Sequence, residues 1–547
     1  MAMAASVVSP TFETLWEAGA EPVGVAAVLS FALHGMQAQP VRVEAHVRPG
    51  LPGIVIVGLP DAAVREAKER IRSGAASSGT PLPTQRMTVG LSPADLRKEG
   101  PAFDLPVALA LLAGAGYVSP SCLEGVGAVG EVSLEGLVRP VRGMLSLTEA
   151  AREAAVSCFV VPAEGLPEAS HVSGLTLLGV RSLREALRAV DDASYRDHLL
   201  RRGMRWCALR ARRPPLPGTG GSAPDLADVA GQAHARRALE ITAAGGHHLL
   251  MVGSPGSGKT MLARRLPSIL PALEAEEALE VTRVWSVAGL RRPEQGLVTV
   301  RPFRAPHHTV SRAALMGGGP LPRPGEVSLA HRGVLFLDEL PEFARDVLES
   351  LRQPLEEGLA VVARRQGSST FPARFTLVAA MNPCLCGYAG HPERVCTCAA
   401  SEAERYRRRV SGPLLDRLDL LVGMPSLSLA MMARDAAEEP SAKVRARVEA
   451  AWRFRALREA SSSLRRQACA GRTVHPRLME VEYGLKEDAR VLLGEALGSQ
   501  SLGGRGYVRA MAVARTIADL DGCSCVSAEH MAEALSLRLA LRTRGTA

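Results

Sequence analysis

The chain has 547 residues, 47% of them hydrophobic, so it is too long for one ordinary core and two to four domains are expected. Its net charge of +9, from 65 Lys and Arg against 56 Asp and Glu, suits a polyanionic partner such as nucleic acid. No run reaches the eighteen apolar residues of a membrane span and no export signal is visible, which predicts a cytoplasmic protein without a membrane partner.

The first two hundred residues alternate between strand and helix patterns, which predicts a mixed α/β domain over residues 1–205. Strands are predicted at 40–47, 54–59 and 87–92, a helix at 61–73 with Asp61 as its N-cap, and a buried helix at 105–118. The Pro- and Gly-rich stretch that follows predicts an interdomain linker at 206–224.

Apolar strands separated by helical segments follow the linker. They are predicted at 248–253, 333–340 and 375–383, a pattern typical of a parallel sheet covered on both faces, so a second α/β domain is predicted over 225–435. From residue 436 the pattern is helical, with helices predicted at 442–460, 507–520 and 528–542, and this predicts a helical C-terminal domain over 436–547.

The segment "GSPGSGKT" matches the phosphate-binding P-loop pattern, with a predicted strand before it and a predicted helix, 260–270, after it. Successive backbone N–H groups of such a loop surround phosphate, Lys259 would reach the β- and γ-phosphates, and the Thr260 hydroxyl would bind Mg²⁺. The residues predicted to contact ATP and its Mg²⁺ are Gly253, Ser254, Pro255, Gly256, Ser257, Gly258, Lys259, Thr260 and Asp338.

Two acids end the strand in "GVLFLDEL". Asp338 would hold Mg²⁺ together with Thr260, and Glu339 would polarise the water that attacks the γ-phosphate. The alternative is that both acids cap a following helix. Their pairing with a P-loop favours an ATP-hydrolysing motor.

The segments "DLADVAGQAHARRALE" and "SGPLLDRLDL", together with Asn382 at the end of the next strand, resemble the AAA+ ATPases, in the branch that contains magnesium-chelatase ATPase subunits and MCM helicases. The resemblance implies that Asn382 orients the attacking water, that Arg417 is an arginine finger acting on a neighbouring subunit, and that Arg505 is a second nucleotide sensor. A finger acting in trans implies a ring, expected to be a homo-hexamer. Alternatively, Asn382 caps Pro383 and Arg417 pairs with a nearby acid.

Two segments resemble the insertions of the same branch, a helix-2 insert at 301–333 and a hairpin at 355–377 that precedes Asn382. The resemblance implies that both project into the pore of a ring, where Arg364 and Arg365 would contact DNA phosphates. A solvated hairpin tip is the alternative. His307 and His308 are interpreted as packing residues of the first insert, because adjacent histidines seldom point at one metal ion.

The N-terminal segments "HVRPGLPGIVIVGLPDAAVREAKERIRSG" and "TVGLSPADLRKEGPAFDLPVALALLA" resemble the Lon-protease-like (S5-type) domain of the ComM/YifB family of magnesium-chelatase-like ATPases. Lon-type proteolysis needs a serine activated by a lysine. The matching positions hold Ala102 and Leu145, so no protease activity is expected. The fold implied is an N-terminal Lon-like α/β domain, a P-loop AAA+ parallel-sheet core and a helical C-terminal lid.

The resemblance implies a ComM-like hexameric DNA motor that drives branch migration of recombination intermediates during natural transformation. The alternatives are a magnesium-chelatase ATPase subunit that drives metal insertion into a porphyrin, or another AAA+ remodelling ATPase. The DNA motor is favoured by the basic charge of the chain and by the Lon-like N-terminal domain.

Four cysteines, Cys384, Cys386, Cys396 and Cys398, lie between Asn382 and Arg417 in the pattern C-x-C, nine residues, C-x-C. Tetrahedral Zn²⁺ accepts four thiolates, and the turn-rich segment between the pairs can bring them together. His391 could replace one cysteine, and four reduced thiols without a metal are the alternative. No helix is expected after the cluster, which disfavours a nucleic-acid-binding finger. Cys523 and Cys525 repeat the C-x-C spacing and are interpreted as incidental.

Overall fold

The computed structural model describes residues 24–211, 224–291, 296–319, 322–364, 367–426, 438–460, 476–498 and 503–539. Contacts divide the chain into two compact units. The first comprises residues 1–219 with the segments 278–298 and 365–370, and the second comprises residues 220–277, 299–364 and 371–547. Most of the predicted linker, residues 212–223, lies outside the described residues.

The strands are β1 Val25–His34, β2 Gln37–Arg48, β3 Gly53–Val57, β4 Arg86–Ser92, β5 Val126–Ala128, β6 Glu131–Val132, β7 Val138–Arg139, β8 Cys158–Pro162, β9 Leu177–Val180, β10 Leu249–Gly253, β11 Phe303–Arg304, β12 Gly317–Gly318, β13 Arg323–Pro324, β14 Val334–Leu337, β15 Leu359–Arg364, β16 Gly367–Pro372, β17 Thr376–Met381 and β18 Leu420–Met424.

The α-helices are α1 Ala62–Ser77, α2 Asp104–Gly114, α3 Met144–Glu153, α4 Leu166–Ala169, α5 Leu183–Asp191, α6 Ala193–Ala211, α7 Ala233–Gly245, α8 Lys259–Ala263, α9 Leu266–Ile269, α10 Ala275–Ala288, α11 Arg312–Met316, α12 Glu326–Leu329, α13 Arg345–Ser350, α14 Arg352–Glu357, α15 Ala400–Arg407, α16 Gly412–Leu415, α17 Ser441–Ala460, α18 Pro476–Glu482, α19 Glu487–Gly498, α20 Gly504–Leu520 and α21 Ala528–Leu539.

The first unit is built on a seven-stranded mixed sheet in the order β3-β4-β2-β1-β5-β8-β9. Helix α1 begins as predicted, because the Asp61 side chain accepts a hydrogen bond from the Val64 N–H at 2.8 Å. Helix α2 is buried along most of its length, as its continuous apolar run predicts. The sequence patterns did not single out β1, although it pairs with both β2 and β5.

The second unit contains a five-stranded sheet in the order β11-β14-β17-β10-β18, and all of its strand pairs are parallel. The predicted parallel sheet is therefore confirmed, with β10 between β17 and β18. The start of the predicted insert, β11, is the edge strand of this sheet rather than part of a projection. Strands β15 and β16 form the predicted hairpin.

The helix predicted at 260–270 is interrupted. It consists of the short helices α8 and α9, with a break at Arg264 and Arg265. Pro267 explains the break, because a proline has no N–H to donate to an earlier turn and its ring clashes with the carbonyl four residues before it. Pro267 lies in the first turn of α9, where the missing N–H would have no partner within the helix and no preceding turn is present for the ring to clash with.

Helices α17–α21 share one apolar core with the parallel sheet of the second unit. Val448 of α17, Leu493 of α19, Ala514 of α20 and Met531 of α21 belong to the same buried cluster as Leu249 of β10. In the part of the chain that the structure describes, no helix is both long and apolar enough to cross a membrane.

The turn Arg417–Asp419, just before β18, is held from two sides. Asp419 accepts hydrogen bonds from the His248 N–H at 2.9 Å, at the start of β10, and from Arg509 of α20 at 2.8 Å. Arg509 also donates to the Arg417 carbonyl, and Arg538 of α21 donates to the carbonyls of Leu418 and Asp419 at 3.1 and 3.2 Å. Two C-terminal helices are thus bonded to a turn that also contacts the strand preceding the P-loop.

The charge of Asp419 is stabilised in the folded state. Burial by itself would raise the pKa of this carboxyl, but His247, whose ring nitrogen lies 3.8 Å from the carboxylate, and the charges of His248 and Arg509 outweigh burial and hold the pKa well below its usual range. A lowered folded-state pKa means that the stabilisation is complete above the unfolded pKa of about 3.9 and is lost only as the pH falls below it.

We therefore expect Asp419→Asn to destabilise the second unit at neutral pH by about 3 kcal/mol, because it leaves the largely buried guanidinium of Arg509, 23% exposed, without its charge partner. In calorimetry the transition of this unit should move down by about 6 °C or more. The control is Glu449→Gln, which removes the surface pair between Arg445 and Glu449 on α17 and should cost at most about 1 kcal/mol. Equal stability of the two variants would contradict the role given to Asp419.

Candidate nucleotide and metal sites

The P-loop joins the end of β10 to the start of α8, as predicted. Gly256 and Gly258 have φ angles of +80° and +88°, in the left-handed region that favours glycine. Apart from the adjacent residues, no heavy atom of the described part of the chain lies within 4 Å of the position that a Cβ would take at either residue. The space beside both glycines is therefore open to a ligand that approaches the backbone closely.

Lys259 extends its side chain across the loop. Its amine donates to the carbonyls of Gly253 at 2.7 Å and Ser254 at 2.9 Å, and to the Asn382 side-chain oxygen at 3.2 Å. Burial lowers the pKa of Lys259, while the charges of Asp338 and Glu339 oppose that shift. The predicted lysine and the predicted sensor asparagine are thus in direct contact.

Thr260 and Asp338 are also brought together, because the Thr260 hydroxyl donates to an Asp338 carboxylate oxygen at 2.6 Å. The carboxyl ends of β10, β14 and β17 lie at one edge of the parallel sheet, and ligands of open α/β sheets bind at that edge. Four predicted side chains therefore converge at this edge: Lys259, Thr260, Asp338 and Asn382.

Glu339 has an unusual backbone conformation. Its φ of +53° is left-handed, which costs free energy for a residue other than glycine and is often found at functional sites. Its N–H bonds the Asp338 carboxylate at 3.0 Å, and its own carboxylate is half exposed, 3.5 Å from the His308 ring nitrogen. The turn thus directs the two neighbouring acids to different partners.

The residues present fit MgATP. A hydroxyl and a carboxylate 2.6 Å apart are hard oxygen donors of the kind that Mg²⁺ prefers. The Lys259 amine donates to carbonyl oxygens of the protein and so lies beside the open glycine loop. Phosphate oxygens of a bound nucleotide would replace these carbonyls as its acceptors. Thr260 and Asp338 would hold the metal, and Lys259 would bind phosphate.

Arg417 and Arg505 meet at a different place. Arg417 is buried and forms an ion pair with Glu356 at the end of α14, while Arg505 is exposed and lies 3.6 Å from the same carboxylate. Among the described residues, neither arginine has a hydrogen bond or ion pair to the P-loop of its own chain. Two arginines distant in sequence therefore share one acid, which the sequence patterns did not single out.

The four predicted cysteines lie together. The sulfurs of Cys384, Cys386, Cys396 and Cys398 are all within 4.8 Å of one another, and His391 is not part of the group. Cys523 and Cys525, interpreted as incidental, are free and exposed.

The expectation that no helix follows the cluster was wrong, since α15 begins at Ala400. The reason is a capping interaction, in which the Glu402 side chain accepts from the Ala399 N–H at 3.0 Å. Arg407 and Arg408 of this segment pair with Glu404, and Arg409 pairs with Glu342, so these three arginines are already matched by acids.

The predicted DNA contacts lie at the edge of the described structure. Arg364 is the last residue of β15 and nothing is described of its side chain, while Arg365 falls outside the described residues. Their contact with DNA stays a prediction.

The sequence patterns missed two residues at the candidate nucleotide site. Gln232, buried and with φ of +55°, donates its side-chain amide to the carbonyls of Ser257 at 3.2 Å and Pro425 at 2.8 Å, and so joins the P-loop to the end of β18. His308, interpreted as a packing residue, lies beside Glu339. The sequence could have indicated Gln232. In the segment "VAGQ" this polar residue follows a glycine and directly precedes a helix with an apolar face, where a polar side chain needs a partner.

We expect Gln232→Ala to weaken nucleotide binding about five- to tenfold, because two buried carbonyls lose a donor worth about 1 kcal/mol or more. Titration with a fluorescent ADP analogue measures the effect. The control is Gln353→Ala, whose exposed amide bonds Glu357 in the same helix, and it should bind like the unmodified protein. Unchanged affinity of Gln232→Ala would show that the P-loop holds its shape without this contact.

Comparison with known proteins matches three parts of the chain to magnesium-chelatase-like domains. A family profile described as "Magnesium chelatase, subunit ChlI" matches residues 225–432, one described as "Subunit ChlI of Mg-chelatase" matches 43–165, and one described as "Magnesium chelatase, subunit ChlI C-terminal" matches 438–538. The 38 kDa magnesium-chelatase subunit of Rhodobacter capsulatus is 26% identical over 345 residues, which cover 58% of this chain and 87% of that subunit.

Two relatives align along nearly their full length. The protein YifB of Salmonella typhimurium is 40% identical over 519 residues, covering 94% of this chain and 97% of the relative. The competence protein ComM of Haemophilus influenzae is 38% identical over 524 residues, covering 95% of this chain and 98% of the relative. With the P-loop and the parallel sheet in place, these alignments show that the chain belongs to the ComM/YifB family.

Proposed function

We propose that this protein is an ATP-hydrolysing DNA motor of ComM type, which works as a hexameric ring and promotes branch migration of recombination intermediates. The observation that carries the proposal is the two hydrogen-bonded pairs, Lys259 with Asn382 and Thr260 with Asp338, beside an open glycine loop. These are the groups that ATP hydrolysis requires, and the alignment with a competence protein covers 95% of the chain.

Each side chain has a separate task in the proposed reaction. Lys259 binds the β- and γ-phosphates of ATP, and Thr260 and Asp338 hold Mg²⁺, which neutralises charge that develops on the phosphates. Glu339 accepts a hydrogen bond from the attacking water, and Asn382 orients that water. His308, 3.5 Å from Glu339, is placed to hold this acid until the water is bound.

The proposal of a ring depends on two arginines. Arg417 and Arg505 meet at Glu356 and make no described contact with their own P-loop, an arrangement expected of groups that serve the ATP of a neighbouring subunit. Glu356 would release them when that ATP arrives, because phosphate oxygens are stronger partners for two guanidinium groups. The hairpin residues Arg364 and Arg365 and the net charge of +9 support DNA as the polyanionic partner.

A magnesium-chelatase-type ATPase subunit is the second candidate, supported by the descriptions of the three matching profiles. The lengths favour the first candidate. The Rhodobacter capsulatus subunit is 87% covered while 42% of this chain has no aligned counterpart in it, whereas ComM and this chain match almost end to end. Proteolysis is not supported, because the residues at the positions of the dyad are Ala102 and the fully buried Leu145.

The test uses the purified full chain with forked and four-way DNA. We expect DNA to stimulate ATP hydrolysis and ATP to drive strand displacement or branch migration. Stimulation should weaken as salt rises from about 50 to 200 mM. Binding of the protein releases counterions from the DNA phosphates, and this release is less favourable at higher salt. Lys259→Ala should lose both activities, and the exposed Lys443→Ala should keep them. The proposal of a DNA motor would be contradicted if DNA does not change the rate of ATP hydrolysis, or if Lys259→Ala still displaces strands.

Mixing two inactive variants tests the ring. Lys259→Ala keeps Arg417 but cannot bind ATP, and Arg417→Ala binds ATP but offers no arginine to its neighbour. If the arginine acts in trans, an equal mixture restores active sites at about a quarter of the interfaces of randomly mixed rings. Arg417→Ala must first bind nucleotide like the unmodified chain, which shows that it is folded. A mixture no more active than the two variants measured separately would place Arg417 in its own chain's site.

A further inference from the structure

The four clustered cysteines have the spacing of a metal site. The Cys384 sulfur lies 3.4 Å from that of Cys386 and 3.6 Å from that of Cys396, and the sulfurs of Cys386 and Cys396 are 3.5 Å apart. Four thiolates bound to one Zn²⁺ at about 2.3 Å lie about 3.8 Å apart, whereas a disulfide bond is about 2.05 Å long. The distances are close to the first arrangement and far from the second.

Backbone groups already support the sulfurs. The Cys386 N–H points at the Cys398 sulfur at 3.3 Å, and the Ala389 N–H points at the Cys384 sulfur at 3.3 Å. Such N–H contacts orient metal ligands and stabilise the thiolate form that a metal requires. The two C-x-C pairs therefore approach each other as a set of four ligands with their outer hydrogen bonds in place.

The segment that carries the cysteines has little else to hold it. Residues 382–399 contain no helix or strand, and Leu385 and Val395 are 61% and 88% exposed. Cys384 is the only hydrophobic core residue of this segment. A loop without a hydrophobic core of its own needs another source of folding free energy, and metal ligation is such a source.

This segment also lies against the P-loop. A Cβ on Gly387 would be 2.6 Å from the Pro255 Cδ, so the backbone at Gly387 packs directly on that proline. On the other side, Asn382 precedes Cys384 by two residues and its side chain accepts from Lys259. The cysteine-bearing segment therefore contacts the nucleotide loop at two points.

We propose that Cys384, Cys386, Cys396 and Cys398 bind one Zn²⁺ ion, and that the metal-bound loop supports the P-loop through the contact of Gly387 with Pro255. Loss of the metal releases the segment that supports Pro255 and carries Asn382, and nucleotide affinity falls. The second part rests on the proposed binding of ATP, and the first part does not.

Metal analysis tests the first part. The purified full chain should contain about one zinc per molecule, and X-ray absorption should show four sulfur neighbours at about 2.3 Å. The double variant Cys396→Ser, Cys398→Ser should lose the metal. The matched control is Cys523→Ser, Cys525→Ser, which alters the exposed C-x-C pair and should retain it. Zinc well below one per chain, or four thiols that react freely in the native protein, would overturn the site.

Two glycine variants test the second part without removing a ligand. Gly387 and Gly390 have φ of +85° and +75°, so alanine is similarly strained at both, but a Cβ meets Pro255 only at Gly387. Gly387→Ala should keep its zinc and bind a fluorescent ATP analogue about tenfold more weakly, roughly 1.4 kcal/mol. Gly390→Ala should keep both the zinc and the affinity of the unmodified chain.

The outcomes separate the two proposals. If the unmodified chain binds zinc but no ATP, the proposed function fails while the metal site stands. If the cysteine variant or chelator-treated protein stays folded by circular dichroism, has no zinc and still binds the ATP analogue with full affinity, the coupling is wrong. The same conclusion follows if Gly387→Ala binds as tightly as Gly390→Ala.

Discussion

The buried carboxylate of Asp419 is the interaction on which the arrangement of the second unit depends. It accepts from the backbone at the start of β10 and from Arg509 of α20, in a turn whose carbonyls also accept from Arg538 of α21. Because a largely buried charge is costly unless it is paired, separating these groups would destabilise the unit. Arg417, two residues before this carboxylate, is therefore fixed relative to both the P-loop strand and the C-terminal helices.

The geometry of the candidate nucleotide site depends on the order of the strands in the parallel sheet. Strands β10, β14 and β17 are neighbours in the order β14-β17-β10, so the residues after their carboxyl ends meet although they are far apart in sequence. Lys259 reaches Asn382, and Thr260 reaches Asp338, across distances that only a fixed register allows. The left-handed backbone at Glu339 then turns the second acid away from Asp338 and towards His308. Strain at this one residue separates the acid proposed to hold Mg²⁺ from the acid proposed to act on water.

Sequence patterns succeeded where the signal is local. The P-loop, the acids at the end of β14, the Asp61 cap and the apolar strands each depend on residues within a few positions of one another, and the structure has these elements where they were predicted. They failed where tertiary contacts decide. Strand β1 was missed because it is apolar on both faces, as a central strand must be, and so shows no alternation. The helix after the P-loop breaks before Pro267, and the insert supplies the edge strand β11 because Phe303 pairs beside Val334.

The sequence by itself determined which chemical groups stand at the candidate sites of this protein, namely a P-loop, two acids, an asparagine amide and four thiols, because residue type and short spacing are enough to specify each. Only the tertiary structure decided their partners. It placed Arg417 and Arg505 on Glu356, Gln232 between the P-loop and β18, and Gly387 against Pro255. These contacts join residues that are between 25 and 193 positions apart, and no local pattern encodes them. They exist because the buried sheet and its shared core bring distant segments together, and the free energy of that packing is a property of the whole unit.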